Sequence, residues 1–456
     1  MTGLVRNGLA ALTHSVRFED LPHEVVRETK RLILDTLACA LGGVHGRPAQ
    51  IVGHMVRDLG GTPESGLIGG GRTSCTLATL YNGTLLRYLD QNDYYFGLDS
   101  AHPSGNLAAG LAVAQRAGRG GRELIAALVA AYEIHLRLCD VVESPGISAR
   151  GWHPATNAQF SSAALAARLF SDDLNVTANA IALAGSQNNT LAQMQRGDLP
   201  MSKAVAEAQI AKGGVEAALL AMAGLTGPAE IFEGVAGWGK AVAGGVDFDA
   251  LVAPLGQRFR LMETCMKPYS AVAGAMAPIQ AAIDLRLIDH VEPADIASVR
   301  VRLPAVSARK AADPKKLAPK DKETADHSVH YCVAVGLLDA ACGEGQFTAA
   351  RIASADVAAM IGRMTVMEDA ELTALWPAAG GAVVVELRDG RVIERRHRQP
   401  PGHPANRIDD ATLARKFHDM AEGVLTHSQA EAAMAEIDAL DRAVNLESLM
   451  AALAGS

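Results

Sequence analysis

A chain of 456 residues exceeds the span of one typical domain and predicts two, each able to bury a core. Hydrophobic residues make up 49%, charged residues 20% and aromatic residues only 4%, so core volume must come from Ala, Leu, Val and Ile, the make-up of closely packed helices in a mainly α protein. A formal net charge of −8 offers no basic face to nucleic acid or an anionic membrane, which excludes both as expected partners.

The N-terminal stretch "MTGLVRNGLAALTHSVRFEDLPHEVV" interrupts its apolar residues with charges, so no secretory h-region can be drawn. No uncharged run reaches membrane-spanning length, and a cytoplasmic location is expected. From the start to about residue 265, segments of helical period follow one another between short Gly, Pro or Asp breaks, with no strand of period two. Among them are "HEVVRETKRLILDTLACALGG", "ELIAALVAAYEIHLRLCD", "NAQFSSAALAARLF" and "SKAVAEAQIAKGGVEAALLAMAGL". The glycine-rich "GLIGGGRTS", residues 66–74, has neither a Walker lysine nor a strand-to-helix setting, so it reads as a turn and implies no nucleotide cofactor.

Past residue 290 the pattern changes. "IASVRVRLPAV" alternates apolar and basic residues as a half-exposed strand does, and "AVVVELRDGRVIERRHR" predicts two strands joined by an Asp389-Gly390 turn. Between them "APKDKET", residues 318–324, reads as a solvated lysine-rich loop, and "DHSVHYCVAVGLLDAACG" as a helix ending at Gly343. The tail from "DDATLARKF" is helical again. The expected architecture is a large all-helical domain built from both chain ends, residues 1–266 and 401–456, with a smaller α+β lid domain of residues 267–400.

Chemistry-bearing residues concentrate in "LDQNDYYFGLDSAHPSGNL", residues 89–107. Asp90, Asp93 and Tyr94 follow an apolar segment and precede His102, so a returning loop can bring carboxylate and imidazole together. His102-Pro103-Ser104, His153-Pro154-Ala155 and Lys267-Pro268-Tyr269 each stand before an apolar run. Proline favours the first helical position, which predicts an N-cap at the residue before it in all three cases. A helix start lowers the pKa of a nearby histidine and favours anions, a setting for proton transfer on a carboxylate. Lys203 opens another helix, an unfavourable place for a cation unless an anion offsets it. His327, His330 and Cys332 invite a zinc reading, but no further ligand cluster supports it, and six scattered cysteines without a CxxC pair read as buried reduced thiols.

Several colinear stretches together resemble the MmgE/PrpD family, which includes 2-methylcitrate dehydratase, cis-aconitate decarboxylase and iminodisuccinate epimerase. They are "ILDTLACALGG", "GLIGGGRTSCTLATLYNGTLLRYLDQND", "HPSGNLAAGLAVAQ", "GWHPAT", "MSKAVAEAQIAKGGVEAALLAMAGLTGP", "KPYSAVAGAMAPIQAAIDL", "DHSVHYCVAVGLLDA" and "GHPANRIDDATLARKF". The resemblance implies a pocket between the two domains, a homodimer, and cofactor-free chemistry without metal on small di- or tricarboxylates. It assigns proton transfer to His102 oriented by an aspartate, Asp90 or Asp93, with help from Tyr331. Lys203 and Lys267 would hold substrate carboxylates, and His153, Tyr269, Tyr94 and Ser104 would complete the substrate site.

Two departures bear on substrate. Tyr94 stands where the family usually has threonine, and residues 270–276, "SAVAGAM", lack the histidine that commonly follows "KPY". The leading expectation is a hydro-lyase acting on 2-methylcitrate, citrate or a relative. Its rivals are an epimerase, isomerase or cis-aconitate-type decarboxylase on a related carboxylate, and a helical binding protein without catalysis.

Overall fold

A computed structural model describes residues 3–256 and 258–455. Nine helices fill most of the first half: α1 (Leu4–Ser15), α2 (His23–Gly43), α3 (Arg47–Leu59), α4 (Cys75–Tyr88), α5 (Asn106–Ala117), α6 (Gly121–Asp140), α7 (Ala158–Phe170), α8 (Leu174–Gln187) and α9 (Lys203–Met222). The short α10 (Phe248–Val252) follows. Ala and Gly set how closely they pack. A Cβ on Gly83 of α4 would come 2.8 Å from the Ala208 Cβ of α9, and one on Gly214 of α9 would come 2.8 Å from the Ser162 Cβ of α7. The low aromatic content of 4% suits helices that meet almost backbone to backbone at these positions.

The second body begins with α11 (Met276–Leu287) and continues through β5 (Ile296–Leu303), of which Ile296, Val299, Val301 and Leu303 are buried; four two-residue strands precede it in the chain, β1 (Ser65–Gly66), β2 (Arg72–Thr73), β3 (Tyr95–Phe96) and β4 (Ser100–Ala101). Then come α12 (Ala305–Ala311), α13 (Lys322–Ala325), α14 (Val329–Asp339), α15 (Ala349–Ile352), α16 (Ala355–Ile361), β6 (Met364–Glu368), α17 (Ala370–Ala374), β7 (Gly381–Leu387) and β8 (Val392–His397). The sheet order is β6-β5-β7-β8, with β5 parallel to β6 and the other pairs antiparallel. α11 lies across β7 and β8 and packs on α14. The chain closes with α18 (Asp410–Ala421), α19 (His427–Asp438) and α20 (Glu447–Ala452).

Hydrophobic burial follows this division. One core joins residues between Ile33 and Val215 to Phe417, Ala433, Ile437 and Leu449, so the C-terminal helices pack on the N-terminal ones. A second joins Ala271 to Leu387 and takes in Tyr94 and Cys265 from outside that range. Tyr94 and Cys265 form an antiparallel bridge through both backbone N–H groups, each 2.8 Å from the other's carbonyl. All six cysteines are buried and free.

The mainly α reading holds, and the 296–303 strand and the Asp389-Gly390 hairpin form as the alternation required, with Gly390 at φ 87°. Four details differ. The helix from Val329 stops at Asp339 because Ala340 takes a left-handed conformation, φ 54°, and Gly343 instead precedes a 3₁₀ turn. "MTVME" forms the edge strand β6, its short, mixed pattern giving no clear period two. Strand pairing also occurs before residue 265, in the two-residue hairpins flanking residues 67–71 and 97–99. Residues 318–324 are not merely solvated: α13 forms there, and Lys322 lies over the Tyr88 ring and donates to the Tyr88 carbonyl at 3.0 Å.

Candidate active site

The site begins where α4 ends. Asp90 sits just beyond that helix in a left-handed backbone conformation, φ 50°, strained for a residue other than glycine. Its carboxylate and carbonyl gather three cations and one imidazole from four segments. Lys267 Nζ donates to the Asp90 carbonyl at 2.7 Å and to Oδ1 at 3.0 Å. Lys203 Nζ lies 3.5 Å and His327 Nε2 3.2 Å from Oδ2, and Arg87 lies 3.4 Å from Oδ1. Burial would raise the Asp90 pKa, but Lys203, Lys267, His327 and Arg87 overturn this and hold it well below the usual carboxylate range. The cost falls on the partners: burial, with Arg87 and Lys203 alongside, brings Lys267 down to about 8.

Three residues on, Asp93 has a different environment. Its Oδ2 accepts from Tyr132 of α6 at 2.8 Å and its Oδ1 from the Ser104 backbone N–H at 3.1 Å. Burial dominates these bonds and pushes its pKa up to about 6. The His102 Nδ1 lies 2.7 Å from the Asp93 carbonyl, which can only accept, so Nδ1 carries the proton and Nε2 keeps its lone pair. Burial, then Arg87 and Lys267, lower the His102 pKa well below the ordinary value, and the imidazole is neutral at pH 7. The orienting group is therefore the Asp93 main chain, not an aspartate side chain as the resemblance implied.

His153 caps the turn that leads into α7: its Nδ1 accepts from the Ala155 N–H at 3.0 Å, and Nε2 lies 2.6 Å from the Gln195 side-chain amide. Burial, then Lys203, Arg87 and His327, lower its pKa to about 3. Lys203 opens α9 as expected, and Asp90 supplies the offsetting anion. His102 and His153 do stand at starts of 3₁₀ turns, but Lys267-Pro268 does not start a helix; residues 273–275 and then α11 begin several residues later.

Other residues from the sequence reading lie apart from this cluster. The Tyr331 hydroxyl donates to the Gln346 carbonyl inside the second core, Tyr269 bonds Gln280, and Tyr94 packs in the same core beside Phe96 and the Cys265 thiol. Each of the three phenols points into packing rather than toward Asp90. Lys267 is 0% exposed and spends its ammonium on Asp90, so it reaches a ligand only through that carboxylate. Ser104 Oγ accepts from Asn92 at 2.7 Å and acts within the loop.

Three unanticipated residues, Asp326, Arg87 and Glu207, and His327, read from the sequence only as a zinc candidate, complete the site. Asp326 and His327, the first two letters of "DHS", bring the second body to Asp90: Asp326 Oδ1 bonds His327 Nδ1 while His327 Nε2 faces Asp90. Arg87 contacts Asp90 and pairs with Glu207 at 2.7 Å. Their sequence signals were modest but present. Arg87 and Glu207 are charges on the buried faces of α4 and α9, and Asp326-His327 precedes Ser328, the cap of α14, whose hydroxyl accepts from the Tyr331 N–H. The ligand atoms of Asp90, Asp326 and His327 lie within 4.8 Å of one another, a spacing compatible with a metal, but Lys203, Lys267 and Lys322 already neutralise these carboxylates.

The arrangement can do two things: receive an anion where several cations crowd one carboxylate, and accept a proton on a neutral imidazole nearby. Residues 7–251 match the MmgE/PrpD N-terminal domain and residues 269–442 the MmgE/PrpD C-terminal domain. The chain is 23% identical to a cis-aconitate decarboxylase-like protein of Aspergillus oryzae, over 96% of this chain and 94% of that one. It is 26% identical to the mitochondrial 2-methylcitrate dehydratase of Yarrowia lipolytica, over 95% and 87%, and 23% identical to the cis-aconitate decarboxylase of Mus musculus, over 96% and 91%. With both of its halves matched in order, this chain belongs to the MmgE/PrpD family.

Proposed function

We propose that the protein is a cofactor-independent hydro-lyase that removes water from a small hydroxylated di- or tricarboxylate, 2-methylcitrate or a close relative. The observation that carries this reading is the neutral His102, its Nε2 lone pair unused, beside the cation cluster on Asp90. A substrate carboxylate would compete with Asp90 for Lys203, the cluster's partly exposed cation. His102 Nε2 would take the proton from the carbon next to that carboxylate. Charge then builds on the carboxylate oxygens, where Lys203 and Arg87 stabilise it; this is the difficult part of such chemistry, because the dianion is poorly stabilised in water. His327, its Nδ1 on Asp326 and its Nε2 on Asp90, would protonate the departing hydroxide from its doubly protonated form, a form that Asp326 and Asp90 favour against the burial that lowers its pKa, so that water and an alkene leave and the ring is left neutral. In this reading Asp90 and Asp93 position the two imidazoles, while His153, Ser104 and Lys267 shape the surrounding wall.

The site would lie where residues 1–266 with 401–456 meet residues 267–400, a division into helical and lid domains that we propose along with it. We further propose a homodimer working in the cytoplasm; among the described residues no helix is long and apolar enough to cross a membrane. The reading is tested by incubating purified protein with 2-methylcitrate, citrate and cis-aconitate and following alkene absorbance and carbon dioxide. Alkene formed from a hydroxy acid without carbon dioxide is the expected result; carbon dioxide from cis-aconitate, or no turnover of any acid, overturns it.

A second reading, epimerisation, draws on the two imidazoles that approach from different bodies, His102 and His327. Deuterium uptake from heavy water with inverted configuration and no alkene would select it over dehydration.

A further inference from the structure

We propose that His418, His427 and Glu431 form a site for a divalent transition ion of the zinc type, on the hairpin of α18 and α19. Their ligand atoms all lie within 4.8 Å of one another. His418 comes from the last turn of α18, while His427 and Glu431 stand one turn apart on the same face of α19. His418 Nε2 lies 2.8 Å from a Glu431 carboxylate oxygen, and the two imidazole rings stack with centroids 5.1 Å apart at 22°. The first turn of α19 is fixed from both sides, because the Thr426 side chain accepts from the Gln429 N–H and the Gln429 side chain from the Thr426 N–H.

Two imidazole nitrogens and one carboxylate oxygen are ligands that zinc accepts, and three protein ligands leave a fourth tetrahedral position for water. His427 and Glu431 are exposed and His418 half-buried, so an ion enters without opening the fold. The other grouping of this kind among the described residues, Asp90, Asp326 and His327, makes the contrast. There Lys203, Lys267, Lys322 and Arg87 surround the ligand atoms and repel a cation. Among the described residues, His418, His427 and Glu431 pair with no Lys or Arg.

Binding would clamp the α18–α19 hairpin. α18 also carries Lys416, whose ammonium holds Asp35 Oδ1 at 2.6 Å and the carbonyls of Gln91 and Lys267 at 2.8 and 2.9 Å. The ion would thereby fasten the helix whose Lys416 holds the carbonyls of Gln91, next to Asp90, and of Lys267, its ion-pair partner, while standing outside the proposed chemistry.

The test uses the full chain, stripped with a chelator and titrated with zinc chloride by calorimetry, with thermal unfolding in parallel. The expected result is one zinc per chain and a melting temperature raised by roughly 2–4 °C at saturation. In His427→Ala and Glu431→Gln, both exposed substitutions, affinity should fall by at least about tenfold, since even changes outside the ligand shell typically cost that much. Absence of binding at millimolar zinc overturns the proposal, as does binding that these two variants leave unchanged.

Discussion

Asp90 and Asp93 are three residues apart, both are buried, and both belong to the same turn, yet their surroundings drive them in opposite directions. Around Asp90 three cationic side chains and the His327 imidazole converge, and its carboxylate stays ionised far below the ordinary range. Around Asp93 there is no such partner; a tyrosine hydroxyl and one backbone N–H are outweighed by burial, and its pKa rises to about 6. One side of the turn organises charge and the other organises a proton acceptor, since the Asp93 main chain holds the His102 imidazole in its neutral tautomer. Position in the sequence does not separate the two roles. Which elements pack against each carboxylate does.

The sharpest way to break this comparison is on the Asp93 side. His102→Ala should reduce turnover of the true substrate by roughly 10²–10⁴-fold, the usual worth of a positioned general base, with melting temperature nearly unchanged. Because the lowered pKa keeps His102 neutral as pH falls, the acid limb of kcat/KM should lie below the ordinary histidine value of about 6.5. A limb at or above that value, or normal turnover by the variant, removes His102 from the proton transfer. On the Asp90 side the effect should be on folding. Lys267→Met leaves a buried carboxylate short of its fully buried partner and should cost about 3–5 kcal/mol in urea unfolding at pH 7. A loss below about 1 kcal/mol would mean that Arg87, Lys203 and His327 suffice to hold Asp90.

The next effect is smaller and tests the proton itself. Asp93 is protonated in the fold up to about pH 6 but only to about 3.8 in the unfolded chain, so the folded state binds the extra proton between those values. Stability from this group is full below the lower value, falls as pH rises through the window, and is on the order of 3 kcal/mol lower above it. Asp93→Asn should flatten that slope. Equal slopes in wild type and variant between pH 4 and 6 would show that Asp93 titrates normally.

Much of this organisation was legible in the sequence. The helical period, the Asp389-Gly390 turn and the small-residue content fixed element types because each rests on local rules, backbone twist or Cβ volume, that hold wherever the segment packs. Asp90, His102, His153 and Lys203 were legible as a group because each stands at an element boundary. The three phenols were not, because a tyrosine's ring direction is a tertiary matter: Tyr331 starts on the same helix that Asp326-His327 precedes, yet one turn rotates its hydroxyl to Gln346 inside the second core. His327 was weighed only as a zinc ligand, for the converse reason. Its spacing with His330 suggested a shared ligand set, whereas His330 faces elsewhere and the partner of His327 lies 237 positions earlier, at Asp90.

The smallest expected effect separates the two carboxylates by hydrogen bonding alone. Tyr132→Phe removes the hydroxyl that donates to Asp93 Oδ2 and leaves the ring, which packs against Leu261 and Val129 beside a small apolar void. That bond favours the ionised carboxylate, so its loss should push the Asp93 pKa further up. The cost should be about 1–2 kcal/mol at pH 7, where the group is charged, and less at pH 5, where it is not. In Asp93→Asn the same substitution should have no such pH dependence, so the double-mutant cycle isolates the charge-assisted bond. If the cost of Tyr132→Phe is equal at both pH values, its hydroxyl serves packing rather than the Asp93 charge, and the environment of Asp93 is set by burial without help from α6.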